Sequence, residues 1–262
     1  MRIVVCIKQV PDTNEVKLDP ITGTLLREGV PSIINPDDLA GIEAALAIKD
    51  EKDSKVSITV VSMGPAQADV ALREALAMGC DEAYLISDRA FAGADTWATS
   101  STLAGAVKKL GYDLIITGRQ AIDGDTAQVG PQVAEKLDIP QVTYVNHLEC
   151  KNDSVVVHRE LEDGYHLIEV KLPCVLTAIG GLGEPRYPRF PGIYAAYQKD
   201  IPRWNMQDVG LLGSKEIGLE GSPTKVHRSF TPKVERAGEV FPVANRDTVA
   251  QLVSRLRERH LV

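Results

Sequence analysis

The fold is decided by Arg2-Ile3-Val4-Val5-Cys6-Ile7, in which a continuous run of apolar, mostly β-branched side chains follows one arginine. Such a run is typical of a strand that is buried on both faces of a parallel sheet. The same pattern recurs at residues 56–63, in a shorter form at residues 114–117, and more weakly at residues 83–86. These four segments are therefore expected to form the centre of a sheet.

Helical patterns separate the predicted strands. They are expected at residues 38–49, 66–78, 95–110 and 126–137. Asp95 is a suitable N-cap for the third of them, and Pro65 is well placed to open the second. Buried strands that alternate with helices predict an α/β fold with a doubly wound, mostly parallel sheet.

The pattern changes after Pro140. Residues 155–160 and 166–172 flank the turn signal Glu162-Asp163-Gly164, which predicts an antiparallel hairpin within residues 154–172, appended to the sheet. A buried strand returns at residues 174–179. The Gly- and Pro-rich residues 180–202 are expected to form a loop and not a core element.

The C-terminal part has a different character. Residues 201–241 show little periodicity, and residues 247–261 predict a short amphipathic helix. A tail of this kind rarely packs alone. The expected organisation is therefore an α/β domain over residues 1–200 and a C-terminal arm over residues 201–262 that lies along another surface.

Composition excludes several classes of protein. The 262 residues carry a formal net charge of -7, which argues against nucleic acid or an anionic membrane as the main partner. No apolar run approaches the ~20 residues of a membrane span, and no signal peptide is recognised. The four cysteines show no paired spacing, so free thiols and a cytoplasmic location are expected.

The most informative segment for function joins a predicted strand to a predicted helix. Its sequence is Gly118-Arg119-Gln120-Ala121-Ile122-Asp123-Gly124-Asp125-Thr126-Ala127-Gln128-Val129-Gly130. Ligands bind open α/β sheets beyond the carboxyl ends of the strands, and helix N-termini attract phosphate. A ligand-binding loop and a solvated loop in which Asp125 only caps the helix are equally supported by these residues.

Three other segments end at the same edge of the predicted sheet. Asn35-Pro36-Asp37-Asp38 is explained by helix capping alone. Residues 6–12 and 63–66 follow two of the strands. Their convergence favours a site at this edge more than any one segment does.

Other chemistries find little support. No serine lies in a nucleophile elbow, and the five histidines lack metal-ligand spacing. Asp123 and Asp125 form a poor acid–base dyad because the flexible Gly124 separates them. Neither a catalytic residue nor a metal site is expected.

Several of these segments together resemble the beta subunit of electron-transfer flavoproteins over most of the chain. The resemblance rests on the following stretches: Val5-Cys6-Ile7-Lys8-Gln9-Val10, Asn35-Pro36, Ser62-Met63-Gly64-Pro65-Ala66-Gln67, Ala75-Leu76-Ala77-Met78-Gly79, Gly118-Arg119-Gln120-Ala121-Ile122-Asp123, Gln128-Val129-Gly130, Leu172-Pro173 and Glu184-Pro185-Arg186-Tyr187. So many matches in the same order are specific to the family.

The resemblance implies a heterodimer with an alpha subunit that carries its own FAD. It also implies an adenine nucleotide in this chain, either AMP as a structural ligand or a second FAD that is reduced by NADH. The implied contacts are Cys6, Asn35, Pro36, Asp37, Asp38, Met63, Gly118, Arg119, Gln120, Ala121, Ile122, Asp123, Gly124, Asp125, Thr126, Ala127, Gln128 and Val129.

Residues 11–20 and 23–30 resemble the anaerobe-type beta subunits, and this favours the electron-bifurcating branch with FAD. In that branch one electron goes to ferredoxin or flavodoxin, and the other passes through the alpha-subunit FAD to an acyl-CoA dehydrogenase. The residues that would hold the phosphate are the same for AMP and FAD, so the sequence leaves both open.

Residues 184–196 resemble the partner-recognition loop of the family. The resemblance places Phe190 as an apolar anchor in an acyl-CoA dehydrogenase, with Arg186, Tyr187 and Ile193 beside it. The alternative is that Phe190 packs on its own domain. The resemblance also implies that the C-terminal arm wraps the alpha subunit. A stand-alone nucleotide sensor is a third possibility, but such a protein needs neither a recognition loop nor an arm.

Overall fold

The computed structural model describes residues 1–12, 31–52, 55–213, 215–227, 238, 240–241 and 243–262. These residues fall into two compact units, Met1–His227 and Arg228–Val262. The predicted boundary at residue 201 is therefore not where the chain divides. The stretch at residues 13–30, on which most of the resemblance to the anaerobe-type subunits rests, lies outside the described residues.

The described residues contain eleven strands and six α-helices. The strands are β1 Arg2–Cys6, β2 Gln9–Pro11, β3 Ser32–Ile34, β4 Ser57–Met63, β5 Glu82–Ile86, β6 Leu114–Gly118, β7 Gln141–Cys150, β8 Ser154–Leu161, β9 Gly164–Lys171, β10 Cys174–Ala178 and β11 Arg203–Trp204. The helices are α1 Pro36–Lys52, α2 Asp69–Met78, α3 Thr96–Leu110, α4 Val129–Leu137, α5 Phe190–Gln198 and α6 Arg246–Glu258.

Nine of these strands form one sheet in the order β11-β5-β4-β1-β6-β10-β7-β8-β9, and β2 pairs with β3 in a small antiparallel sheet. The strands from β11 to β7 are parallel to their neighbours. Strands β7, β8 and β9 pair antiparallel. The predicted parallel sheet and its appended hairpin are both confirmed, while β7 was not predicted.

Helices cover both faces of the sheet. Ile42 of α1 and Leu72 of α2 belong to the apolar core on one face, and Leu103 of α3 and Val133 of α4 belong to the core on the other. The chain runs from β1 outward to β4 and β5, and then returns to place β6 on the opposite side of β1. This reversal creates a topological switch point at the carboxyl ends of β1 and β6, where open α/β sheets bind ligands.

Residues 180–202, predicted as a loop, contain α5. The loop prediction rested on the prolines of this segment. Pro191, however, occupies the first turn of α5, where its missing N–H costs no helical hydrogen bond. Arg73 of α2 donates a hydrogen bond from Nη1 to the carbonyl of Ala196, at 2.8 Å, and so helps to hold α5 on the domain.

Residues 201–227 also differ from the prediction, since they are part of the larger unit. Trp204 of β11 extends the sheet beside β5 and lies 4.5 Å from the ring of Tyr84, measured between ring centroids. Val209 and Ile217 are buried in the core that also contains α3. The predicted helix near the C-terminus is confirmed as α6, with Asn245 as its N-cap.

Candidate functional site

A cleft of about 950 Å³ lies at the switch point, beyond the carboxyl ends of β1, β4, β5 and β6. The cleft is lined by most of the residues that the sequence singled out: Cys6, Asp38, Met63, Gly118, Arg119, Gln120, Ala121, Gly124, Asp125, Thr126, Ala127, Gln128 and Val129. The four segments predicted to converge at one edge of the sheet therefore do so.

The loop of residues 119–128 forms one wall of the cleft. Asp125 and Ala127 adopt positive φ angles of 49° and 52°, a region that costs energy for residues with a side chain. Because of this turn, α4 begins at Val129, and the predicted helix start at Thr126 is wrong. Asp125 lies outside the first turn, so its interpretation as a helix cap is also wrong; its carboxylate accepts a 2.8 Å hydrogen bond from Gln120 Nε2.

Asn35 holds this loop from behind. Its side chain is fully buried; Nδ2 donates to the carbonyl of Gln120 at 2.8 Å, and Oδ1 accepts from the N–H of Ile122 at 3.1 Å. The backbone N–H of Asn35 donates to the carbonyl of Lys8, just beyond β1. One residue, through its side chain and its backbone, thus fixes the start of the loop to the end of the central strand.

Asp38 joins the two strands at the switch point. Its carboxylate accepts hydrogen bonds from the N–H of Lys8 at 2.7 Å and from the N–H of Gly118 at 2.9 Å. Only 6% of the residue is exposed. Burial raises the pKa of Asp38 to about 7, although the hydrogen bonds from Lys8, Asn35 and Gly118 oppose the increase. Asp38 thus titrates near neutral pH at the base of the cleft.

Two glycines let the backbone approach closely at the cleft. A Cβ atom on Gly118 would overlap Oδ1 of Asp38, and one on Gly130 would lie 2.6 Å from Cγ2 of Thr177. Gly124, at the tip of the loop, has no atom within 4 Å of the corresponding position. Gly118 thus lets β6 approach Asp38 of α1, and Gly130 lets α4 approach β10, while the tip of the loop has open space at Gly124.

Arg119 has a partner inside the chain. Its Nε lies 3.4 Å from Oδ2 of Asp37, and its guanidinium lies 5.8 Å from the ring centroid of Tyr144. Burial raises the pKa of Asp37, and the charge of Arg119 opposes that increase. The role of Arg119 as a phosphate ligand stays a prediction, since a phosphate would compete with Asp37 for the guanidinium.

Five predicted contacts do not line the cleft: Asn35, Pro36, Asp37, Ile122 and Asp123. Asp123 pairs with Lys8 at 2.6 Å, and its side chain is only 4% exposed. The carboxylate of Asp123 thus binds Lys8, whereas that of Asp125 binds Gln120. The side chains of Asn35 and Asp123 brace the loop, whereas Ile122 is half exposed.

A second wall of the cleft was not predicted. It comes from Ile86 at the end of β5, from residues 87–89 and 91–95 after it, and from Thr96, Thr99 and Leu103 of α3. The rule that ligands bind beyond strand ends applied equally to the predicted strand at residues 83–86 and could have found this wall. Thr224 and Val226 complete the lining, and no local sequence signal marks them.

The four residues expected to dock a partner lie on or before α5. Phe190 is 82% exposed and Tyr187 is 93% exposed, so the alternative that Phe190 packs on its own domain is wrong. Arg186 instead faces its own domain. Its guanidinium donates three hydrogen bonds to the carboxylate of Glu43, at 2.7, 2.9 and 3.1 Å, and one to Asp50. Ile193 is about 42% exposed.

Comparison with known proteins agrees with this geometry. A family model described as "Electron transfer flavoprotein domain" matches residues 22–209. An electron transfer flavoprotein subunit beta from Thermoanaerobacterium thermosaccharolyticum is 58% identical over 262 residues, with all of both chains covered. The chain belongs to the electron transfer flavoprotein beta-subunit family. The resemblance found in the sequence is thereby confirmed at the level of the family.

Two further relatives of this beta subunit have names that state an assembly. The caffeyl-CoA reductase-Etf complex subunit CarD of Acetobacterium woodii is 56% identical over 264 residues, and both chains are covered in full. The acryloyl-CoA reductase electron transfer subunit gamma of Anaerotignum propionicum is 47% identical over 270 residues, again with full coverage of both. Membership of the family implies an alpha-subunit partner.

The helices in the described part of the chain were also compared with the requirements of a membrane span. None of them combines the length and the apolar character needed to cross a bilayer.

Proposed function

We propose that this chain holds FAD in the cleft as the beta subunit of an electron-bifurcating electron transfer flavoprotein. The observation that carries the proposal is the volume of the cleft, about 950 Å³. Ligand pockets span about 300–1,000 Å³, so this cleft lies near the upper end. AMP would fill only part of it, whereas FAD adds a second phosphate, a ribityl chain and a three-ring system to the same adenosine.

The residues of the chain have defined roles in this proposal. FAD, when bound, supplies the redox chemistry, since it can accept a hydride from NADH and donate electrons one at a time. The backbone of residues 119–128 binds the phosphates, with Asn35 and Asp38 behind it. Cys6 and Met63 line the cleft at the ends of β1 and β4. Burial raises the pKa of the Cys6 thiol to about 12, so it contributes no charge.

The partners follow from the same proposal. Electrons leave to ferredoxin or flavodoxin and, through the FAD of the alpha subunit, to an acyl-CoA dehydrogenase, all in the cytoplasm. The names of the caffeyl-CoA reductase and acryloyl-CoA reductase relatives support the second acceptor. The exposed Phe190, with Tyr187 and Ile193 beside it, is the surface that docks this acceptor, and Arg186 anchors the segment to α1.

The alpha subunit contacts α6 in this proposal. Within the unit Arg228–Val262, Val249 and Leu252 of α6 are exposed, at 55% and 45%. Such apolar side chains on a helix favour burial against another chain. Limited proteolysis of the free beta subunit and of the heterodimer tests this assignment. Cleavage within α6 that is equally fast in both would contradict it.

The cofactor content of the heterodimer tests the main proposal. The chain is co-expressed with its alpha partner, the complex is denatured, and FAD and AMP in the supernatant are quantified per heterodimer. A second FAD beyond the one in the alpha subunit supports the proposal, and NADH should then reduce it. A single FAD accompanied by AMP contradicts it and makes this chain a structural nucleotide holder that docks dehydrogenases.

A further inference from the structure

Asp95 connects three parts of the cleft wall. Its Oδ1 accepts a hydrogen bond from the N–H of Ala98, at 3.0 Å, and so caps α3. Its Oδ2 accepts two hydrogen bonds from Thr224, one from the N–H at 2.9 Å and one from Oγ1 at 2.7 Å. The sequence predicted this cap. It did not predict the hydrogen bonds between the same carboxylate and Thr224, which lies 129 residues further along the chain.

The segment around Thr224 is fixed to the same wall at other points. The N–H of Asp95 donates to Oγ of Ser222 at 2.8 Å, and this hydroxyl donates to the carbonyl of Gly218 at 2.7 Å. The N–H of Leu219 donates to the carbonyl of Ala92 at 3.0 Å. Ser222 is 6% exposed. Residues 218–224 thus follow the loop after β5 closely.

The attachment matters because Thr224 and Val226 line the cleft, as do Thr96 and Thr99 of α3. The contacts upstream fix the chain as far as Ser222. Beyond Ser222, Asp95 is the group whose hydrogen bonds direct Thr224 to the cleft. Val226 is 79% exposed, so its own packing contributes little to holding this segment.

The charge of Asp95 strengthens these bonds. Burial alone would raise the pKa of Asp95, but hydrogen bonds from Ala98 and Thr224 hold it below its usual value. The carboxylate is therefore ionised at neutral pH, and bonds to an ionised acceptor are stronger than neutral ones.

We infer that Asp95 is a positioning residue of the cleft, which fastens residues 222–226 as a strap over one wall and slows the release of the bound adenine nucleotide. The inference rests on the proposed function, since it requires a nucleotide in the cleft. It does not depend on whether that nucleotide is FAD or AMP.

The test compares variants of the beta subunit in the heterodimer with its alpha partner. Asp95→Asn keeps an acceptor for the cap, because asparagine is a good N-cap, but loses the second acceptor needed by Thr224. Thr224→Val removes only the hydroxyl bond. Asp208→Asn is the matched control, since Oδ2 of Asp208 accepts from the N–H of Asn205, at 3.0 Å, outside the cleft. Retained FAD and AMP are quantified after rapid desalting at intervals, and thermal unfolding is recorded for each complex.

We expect Asp95→Asn to release the nucleotide roughly fivefold faster, equivalent to about 1 kcal/mol. Thr224→Val should release it about twofold faster, and Asp208→Asn should match the wild type. Faster release in the first two, at unchanged unfolding temperature, supports the strap.

If Asp95→Asn and Thr224→Val both release the nucleotide at the wild-type rate, the inference is overturned, while the proposal that the cleft binds a nucleotide still stands. If Asp95→Asn fails to assemble, Thr224→Val decides by the same criterion. A wild-type complex that retains no adenine nucleotide beyond the FAD of its alpha subunit would instead overturn the proposed function, and the inference with it.

Discussion

The loop of residues 119–128 and the helix α5 are both attached to the domain, but by different kinds of group. The loop is held from behind by Asn35 and Asp38, which are 0% and 6% exposed. Helix α5 is held by two partly exposed arginines: Arg186, just before α5, binds the carboxylate of Glu43 on α1, and Arg73 of α2 donates to the carbonyl of Ala196 in α5. The loop faces inward to a cleft, whereas α5 presents aromatic side chains to the solvent.

In the proposed function the two segments act in different ways. The loop binds its ligand, while the residues that hold it, Asn35 and Asp38, lie behind its backbone. Helix α5 instead binds a partner through its exposed side chains, which the anchoring arginines hold in place. Substitutions behind the loop should therefore change folding and nucleotide binding together, whereas substitutions on α5 should change partner binding alone.

The largest effect is expected for Gly118→Ala. The new Cβ would overlap Oδ1 of Asp38, which the backbone N–H of Gly118 already binds, so one of the two must move. Overpacking of this kind costs about 1–3 kcal/mol or more, and the loss of the hydrogen bond to the buried carboxylate adds about 1.5–3 kcal/mol, so we expect a loss of about 4 kcal/mol in the free energy of urea unfolding. Gly124→Ala is the control, since open space surrounds that position. Equal stability of the two variants would contradict the tight contact.

Asn35→Ala should have the next largest effect. It removes two hydrogen bonds and leaves part-buried backbone groups of Gln120 and Ile122 without their partner. An unsatisfied buried group costs about 1–3 kcal/mol, and partial burial places each of these two groups at the lower end, so we expect a loss of about 2 kcal/mol in urea unfolding and weaker nucleotide retention.

Asn205→Ala provides the matched control, because Asn205 also accepts backbone hydrogen bonds but is exposed and outside the cleft. If both substitutions lowered stability and nucleotide retention equally, the special role of the buried asparagine would be disproved.

Asp38 should make stability depend on pH. Burial raises its pKa from 3.8 to about 7, so the native state binds the proton more tightly than the unfolded state does. This contribution is complete below pH 3.8 and is lost as the pH rises to 7. We expect the unfolding free energy of the wild type, relative to Asp38→Asn, to fall by at most about 1.4 kcal/mol per pH unit in this window. Parallel urea curves for the two proteins from pH 5 to 8 would be inconsistent with a buried, titrating carboxyl.

The smallest effect on stability is expected for Phe190→Ala, since the side chain is 82% exposed. Truncation of an interface anchor commonly costs 2 kcal/mol or more of binding energy, about a 30-fold loss of affinity. We expect that loss for the acyl-CoA dehydrogenase, measured by titration calorimetry, with NADH-dependent flavin reduction unchanged. Leu212→Ala, an exposed apolar residue outside α5, is the control. Normal electron transfer from the Phe190→Ala variant to the dehydrogenase would remove Phe190 from the docking surface.

The sequence predicted the centre of the sheet because its strands are continuous apolar runs, which leave few alternatives. It missed α5, because Pro188, Pro191 and Gly192 are typical of loops, and it missed the attachment of residues 201–227. That attachment depends on isolated contacts, such as Trp204 on Tyr84 and the buried Val209, which produce no periodic pattern.

The sequence predicted the candidate site only in part, because some of its residues carry a local motif and others act through contacts between distant segments. The rule about strand ends located the loop after β6, since that loop carries a recognisable motif. It could not show that Asn35 acts from behind the loop, because this role depends on the positions of Gln120 and Ile122 in space. Thr224 was missed because its link to Asp95 spans 129 residues, nearly half of the chain.

The central claim is that the loop, as held by Asp38 and Asn35, carries a flavin in this chain. The most direct test is the FAD content of heterodimers that contain either wild-type or Gly118→Ala beta subunit. We predict a second FAD in the wild-type complex and its loss in the variant, while the FAD of the alpha subunit stays bound in both. The same FAD content in both complexes, whether with or without the second flavin, would contradict the account.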